Sequence, residues 1–188
     1  NICRHFPHIV NLACQAILGA ITNMDYAVEN AEHFDPTSRG CDLIATIHTI
    51  HASSLCHDQF SKIQRDLSTK KVWELLHDVS TQWSSTQLMI EQALQLQRPI
   101  EIFLSCVCEF HKYKISDAEW EILEAYKTIL SVPHAFQQKL SAEKMPTLCE
   151  ALPSFQRMIL VWNQLKNDMP AYSDVIDAGI QKLEDYYD

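Results

Sequence analysis

Leu76-His77-Asp78-Val79-Ser80-Thr81-Gln82-Trp83-Ser84-Ser85-Thr86-Gln87-Leu88-Met89-Ile90 is the stretch whose reading decides the fold. Leu75 to Val79 is a short apolar-rich run with a polar break, which predicts one short strand near 75–79. Ser80 and Thr81 are turn and N-cap residues. Beyond them the period changes: Leu88, Met89, Ala93, Leu94 and Leu96 recur near helical spacing, and Ser84 with Gln87 has the form of a capping box. The stretch therefore predicts strand, turn, helix. Propensity does not explain Trp83, a large ring in the first turn of that helix, where chains usually place small capping residues. It is the candidate binding residue, and the competing reading is a buried ring that closes the strand-to-helix corner.

Outward from this stretch the composition is that of a mainly α chain. Of 188 residues 47% are hydrophobic, enough for a core, while three glycines and seven prolines leave little material for tight hairpins. No apolar run reaches the length of a membrane span and no charged, apolar leader is present, so the expectation is an intracellular protein with no membrane contact. Seven cysteines, at 3, 14, 41, 56, 106, 108 and 149, lie mostly inside helical patterns as small packed thiols, as in a reducing compartment. Lys and Arg total 15 against 24 acids, a net charge of -9, and no basic run exceeds Lys70-Lys71. Strong autonomous DNA binding is not expected of such a chain, because phosphate neutralisation supplies most non-specific affinity.

In chain order, Ile9, Leu12, Ala13, Ala16, Ile17 and Ala20 predict a helix from about Pro7 to about Thr22, weakened slightly by Gly19. Residues 23–40 read as a polar connection. Leu43 to Leu67 keeps helical spacing, as two helices joined near Ser53-Ser54. A kink is expected at Pro99, with the helix reaching Ser105. Ser116 with Glu119 is a capping box opening a stripe of Trp120, Leu123, Ile129 and Leu130 that runs into Pro133, followed by a second helix or a kinked continuation over Ala135 to Leu140. Another helix starts at Pro146-Thr147 and ends at Pro170, and Val175 to Tyr186 is a last amphipathic helix. Cys3, His5 and His8, and separately His48 and His51, carry metal-ligand side chains, but neither set has a second ligand pair at the spacing a structural site needs, so no metal residue is assigned.

The 76–90 stretch resembles the segment of hAT-type transposases in which Asp-Val-x-Thr-Arg-Trp-Asn/Ser-Ser-Thr leads into a helix. His5-Phe6-Pro7-His8-Ile9-Val10-Asn11-Leu12-Ala13 is similar to the Cys-Phe-x-His-x-x-Asn-Leu block of that family, with His5 where a cysteine is usual. Residues 115–120 and 142–148 look like its helical insertion. The resemblance runs over essentially the whole chain and points to the fungal-like hAT group. It implies a partial RNase H-like domain that continues into an α-helical insertion domain: a mostly helical RNase H-like region over 1–82, then helix and insertion over 83–188. His5, His8, Asn11 and Asp78 are the family-motif positions. The family holds a divalent metal such as Mg on two aspartates and a glutamate for strand transfer. Those acids are expected before the His5 block and after the insertion, outside residues 1–188, so the chain is assigned no catalytic residue and no cofactor; Asp78 is not a ligand in the family motif. Trp83 matches the family tryptophan that stacks on the distorted DNA end, with Thr81, Gln82 and Ser84 as neighbouring DNA-binding candidates. Gln82 stands where the family has arginine, which removes a cation from beside the phosphate.

Three functions follow as expectations. The first is a fragment of a nuclear hAT-like transposase, ancestrally binding DNA and transferring strands, and inactive alone. The second is a helical protein-interaction module derived from it, meeting a protein partner through its acidic surface and exposed aromatics such as Trp120, Trp162 and Tyr187; against this stands core packing of those rings, which ordinary burial preferences favour. The third, a metal-binding helical protein, trails both. Cys56, Gln82 and Gln97 also look like decayed arginine positions, a hypothesis of sequence erosion that intact sister copies with the same residues would sink.

Overall fold

The computed structural model describes residues 2–24, 54–67, 71–76, 83–106, 111, 114–142 and 148–185. Seven α-helices account for most of them: α1 (Ile2–Met24), α2 (Ser54–Asp66), α3 (Trp83–Gln95), α4 (Gln97–Cys106), α5 (Asp117–Ala142), α6 (Leu148–Asp168) and α7 (Ser173–Glu184), with a 3-10 turn at Pro170–Tyr172. The mainly α expectation holds, and no strand occurs among the described residues. Leu75 and Leu76, the described part of the expected strand, are instead the end of an extended segment over 71–76; residues 77–79 lie outside the described set.

The chain divides into two compact units. One comprises Asn1–Phe34 with Thr128–Asp188, the other Asp35–Lys127, so α5 contributes to both. In the first unit, α1 buries Ile9, Val10, Ala13, Cys14 and Ile17, a stripe at helical spacing, against α7 and α6. The helix starts earlier than the sequence suggests, so Pro7 lies in its second turn. Only one backbone hydrogen bond is lost there, close to an end where donors are unpaired anyway. From α7, Val175, Ile176, Ile180 and Leu183 face inward, and Gly179 lets the helices approach: a Cβ on it would lie 2.6 Å from Cδ1 and 2.7 Å from Cγ1 of Ile17, and 3.3 Å from Cη2 of Trp162. Lys166 of α6 and Asp177 of α7 form an ion pair across the rim.

Of the two alternatives after Pro133, the structure has the continuation and not a second helix, because α5 is one helix through it. Proline has no N–H, so the carbonyl of Ile129, four residues back, loses its helical partner. The indole Nε1–H of Trp162, a fully buried side chain on α6, donates to that carbonyl at 3.1 Å. A tertiary hydrogen bond thus closes the gap that proline opens.

In the second unit α2 and α3 each pack on α4, and Phe60 meets Phe103 edge to face at 5.9 Å. Met89, Ile90, Ala93, Ile100 and Leu104 complete the helix contacts, with Trp120 of α5 also buried. α3 and α4 are separated at Leu96, whose N–H is shared between the carbonyls of Gln92 and Ala93. The break thus falls ahead of the expected kink, and Pro99 is buried in the first turn of α4. The Ser116–Glu119 capping box forms as the sequence predicts: the Glu119 carboxylate accepts from Ser116 N–H at 2.7 Å, and Glu119 N–H donates to Ser116 Oγ at 3.3 Å. Trp120 and Trp162 are buried in the cores, which agrees with the core-packing alternative and not with their use as exposed partner-binding aromatics; Tyr187 lies outside the described residues.

Candidate nucleic-acid interface

The start of α3 carries the candidates. Trp83 is its first residue, followed by half-buried Ser84, Ser85 and Thr86. The side chain of Trp83, and Thr81, Gln82 and Asp78, lie outside the described residues. The Ser84–Gln87 capping box does not form. Ser84 is already inside the helix, and Gln87 is buried at 3% exposure with no hydrogen-bond partner at its Oε1, the atom a box would use. The first turn of α3 holds no acidic residue, and the helix dipole places its positive end there. Such an end accepts an anion such as a DNA phosphate.

The other family-motif residues sit in the first unit, on α1. His8 is exposed, Asn11 is half-buried, and the side chain of His5 is outside the described set. Among the described residues no three His, Cys, Asp or Glu side chains converge in a way that would hold a metal ion. Cys14 is a buried free thiol whose ionisation burial pushes well up, which suits packing rather than nucleophilic or ligand chemistry. Asp185, fully exposed, is held below the usual carboxylate range by the Gln181 side-chain amide and then Lys182.

Directly ahead of the motif, the segment Lys71-Val72-Trp73-Glu74-Leu75-Leu76 is pinned by two glutamines. Gln64 of α2, with no exposed surface, accepts from Trp73 N–H through Oε1 at 2.8 Å and donates from Nε2 to Trp73 C=O at 2.9 Å. Gln92 of α3 does the same one step along, accepting from Leu76 N–H at 2.6 Å and donating to Glu74 C=O at 2.8 Å. Each primary amide imitates the donor and acceptor of a neighbouring strand, which is why the segment is extended without a strand beside it. Only Leu75 points into the core; Val72, Trp73 and Leu76 are 36%, 43% and 44% exposed. The Lys71 ammonium lies 4.0 Å from the centre of the Trp73 ring. Sequence reasoning assigned no role to Trp73, Gln64 or Gln92. A signal was present: residues 62–71 hold Lys62, Arg65, Lys70 and Lys71 against the single acid Asp66, in a chain of net charge -9.

Residues 42–129 match the family described as the ZBED1 RNase-like helical domain. The chain is also similar to three BED proteins. Zinc finger BED domain-containing protein RICESLEEPER 3 of Oryza sativa subsp. japonica is 25% identical over 146 residues, 78% of this chain and 17% of its own length. RICESLEEPER 1 of the same organism is 23% identical over 146 residues, 78% of this chain and 18% of its own. Zinc finger BED domain-containing protein 4 of Homo sapiens is 26% identical over 104 residues, 55% of this chain and 8% of its own. The chain spans less than a fifth of the length of these relatives. No solved structure matches it. The RNase-like helical description agrees with the helical architecture, and with the BED zinc-finger relatives it supports the hAT-transposase relationship that the motifs suggest. Among the described residues no helix is long and apolar enough to cross a membrane.

Proposed function

We propose that this chain is the helical, non-catalytic part of a nuclear protein derived from a hAT transposase of the fungal-like group, and that the start of α3 is where it meets DNA. The observation that carries the reading is the match of residues 42–129, which contain that helix start, to an RNase-like helical domain. The acid-free first turn sets the positive end of the helix dipole toward a phosphate, and Trp83 supplies the ring against which an unpaired base stacks, worth about 1–3 kcal/mol per base. Gln82 adds hydrogen-bonding capacity without a charge. With net charge -9 the contact is weak and works as one element of a larger DNA-binding protein. Strand transfer and its divalent metal belong to acidic residues elsewhere in such a parent.

A gel-shift titration of the 188-residue chain against a hAT-like terminal DNA, repeated at rising salt, tests the reading. Weak binding that salt removes and Trp83→Ala abolishes is the expected result, together with no Mg-dependent cleavage of the DNA. Binding indifferent to Trp83→Ala overturns the contact. Cleavage by the chain alone overturns the non-catalytic assignment.

A further inference from the structure

We infer that the 71–76 segment is a second DNA-contacting element, in which Trp73 is a platform for an unpaired base and Lys71 holds an adjoining phosphate. The inference deepens the DNA-binding reading but uses none of the residues at the α3 start.

The argument begins with the backbone. An exposed tryptophan on a loose loop would lose much of its stacking energy to ordering. Here the main chain of Trp73 is fixed at both N–H and C=O by Gln64, a side chain with no exposed surface, and the next residues are fixed by Gln92. The ring is presented on a seat already ordered, which is what preorganised recognition needs. Trp73 has 43% of its surface exposed although its own segment provides a buried position, taken by Leu75.

Charge selects the occupant. Lys71 lies 4.0 Å from the ring centre, and in the sequence Lys62, Arg65 and Lys70 stand within the preceding ten residues with Asp66, while Glu74 follows the ring. A chain with nine more acids than bases concentrates four of its 15 cations in that window. An aromatic ring beside a cation is the recurrent pairing for single-stranded nucleic acid, the ring taking a base and the cation a phosphate. An apolar protein partner would make no use of those cations.

The test is fluorescence anisotropy of the 188-residue chain with a short labelled oligothymidine and with the corresponding duplex, at low and moderate salt. The chain is expected to prefer the single strand. Trp73→Ala weakens it by roughly fivefold to a hundredfold, the range that loss of one stacked base corresponds to. Trp73→Phe recovers most of the loss, and Lys71→Gln flattens the salt dependence by about one phosphate contact. Because these two Gln64 bonds go to the main chain at position 73, Trp73→Ala leaves both available, and unchanged helical circular dichroism checks this. No binding of the parent chain to the oligonucleotide at low salt overturns the inference. So does Trp73→Ala binding as the parent does, or single and double strands binding alike whatever stands at position 73. Trp83→Ala is run in parallel. Loss with Trp83→Ala alone sinks this inference and leaves the α3 contact standing, whereas loss with Trp73→Ala alone supports this inference and removes the α3 contact.

Discussion

Two tryptophans show two ways of satisfying a stranded main chain. In the first unit the stranded group is the Ile129 carbonyl, bereft of a donor because Pro133 has none, and Trp162 reaches it from α6 at 3.1 Å inside the core. In the second unit the stranded groups belong to Trp73 itself, and the Gln64 amide reaches them from α2 while the indole stays half in solvent. One tryptophan gives its polar atom to the fold. The other receives hydrogen bonds at its backbone and keeps its ring available. The difference teaches that exposure, not residue type, separates a structural aromatic from a candidate binding one, and that hydrogen-bond bookkeeping locates both.

The largest effect should come from breaking the first arrangement. Trp162→Ala is expected to cost about 3–5 kcal/mol in urea unfolding, as truncation of a fully buried aromatic does. The sharper experiment is Trp162→Phe with Pro133→Ala. Phenylalanine strands the Ile129 carbonyl, and alanine at 133 offers it a helical N–H, so the pair should be coupled by about 1 kcal/mol or more. Strict additivity would mean that the indole bond does not compensate for the proline.

Next comes the approach of helices at the same seam. Gly179→Ala places a methyl 2.6 Å from Cδ1 and 2.7 Å from Cγ1 of Ile17, a fully buried and β-branched side chain with little freedom to move aside. A loss of about 1–3 kcal/mol is expected. The companion change Ile17→Val should relieve part of it, and failure to do so would place the clash elsewhere.

For the second unit the two glutamines rank themselves by burial. Gln64→Leu removes both bonds to Trp73 and should cost about 1–3 kcal/mol, while Gln92→Leu, at a more exposed site where water replaces the amide, should cost about 1 kcal/mol or less. Amide hydrogen exchange reads each directly: Gln64→Leu should deprotect Trp73, and Gln92→Leu should deprotect Leu76. If neither amide is protected in the parent chain, the segment is not held as an extended seat, and the contrast between the two tryptophans fails at its second half.

What was legible in the sequence was local. The Ser116–Glu119 box is a matter of three residues on one chain segment, and it forms. Ser84 and Gln87 have the same spacing, yet Gln87 is drawn into the core, a tertiary demand that the pattern does not record. The helical stripes around Trp120 and Trp162 predicted the helices and favoured buried rings, but not which neighbours cover them, because periodicity marks a face without naming its partner. Leu75-Leu76 read as a strand for the same reason: extended backbone was implied, but its hydrogen bonds run to amides 9 and 16–18 residues away in sequence, which no local rule reaches. Pro133 looked like a joint because its missing N–H is visible in the sequence, whereas the Trp162 donor that substitutes for it lies 33 residues downstream of the Ile129 carbonyl it reaches.

The smallest expected effect has the opposite sign and serves as the control for the seam. Gly19 lies on α1 two residues beyond Ile17, and a Cβ placed there meets nothing within 4 Å. Alanine at that position therefore adds no strain and removes conformational freedom from the unfolded chain, so Gly19→Ala should stabilise by about 0.5–1 kcal/mol. The same substitution at Gly179 should destabilise, and the opposite signs measure whether a helical glycine is there for space or merely tolerated. Should Gly19→Ala also destabilise, the helix would not continue past Ile17 as an exposed α-helical turn in solution, and the close approach of α1 to α7 would have to be borne by a shorter α1.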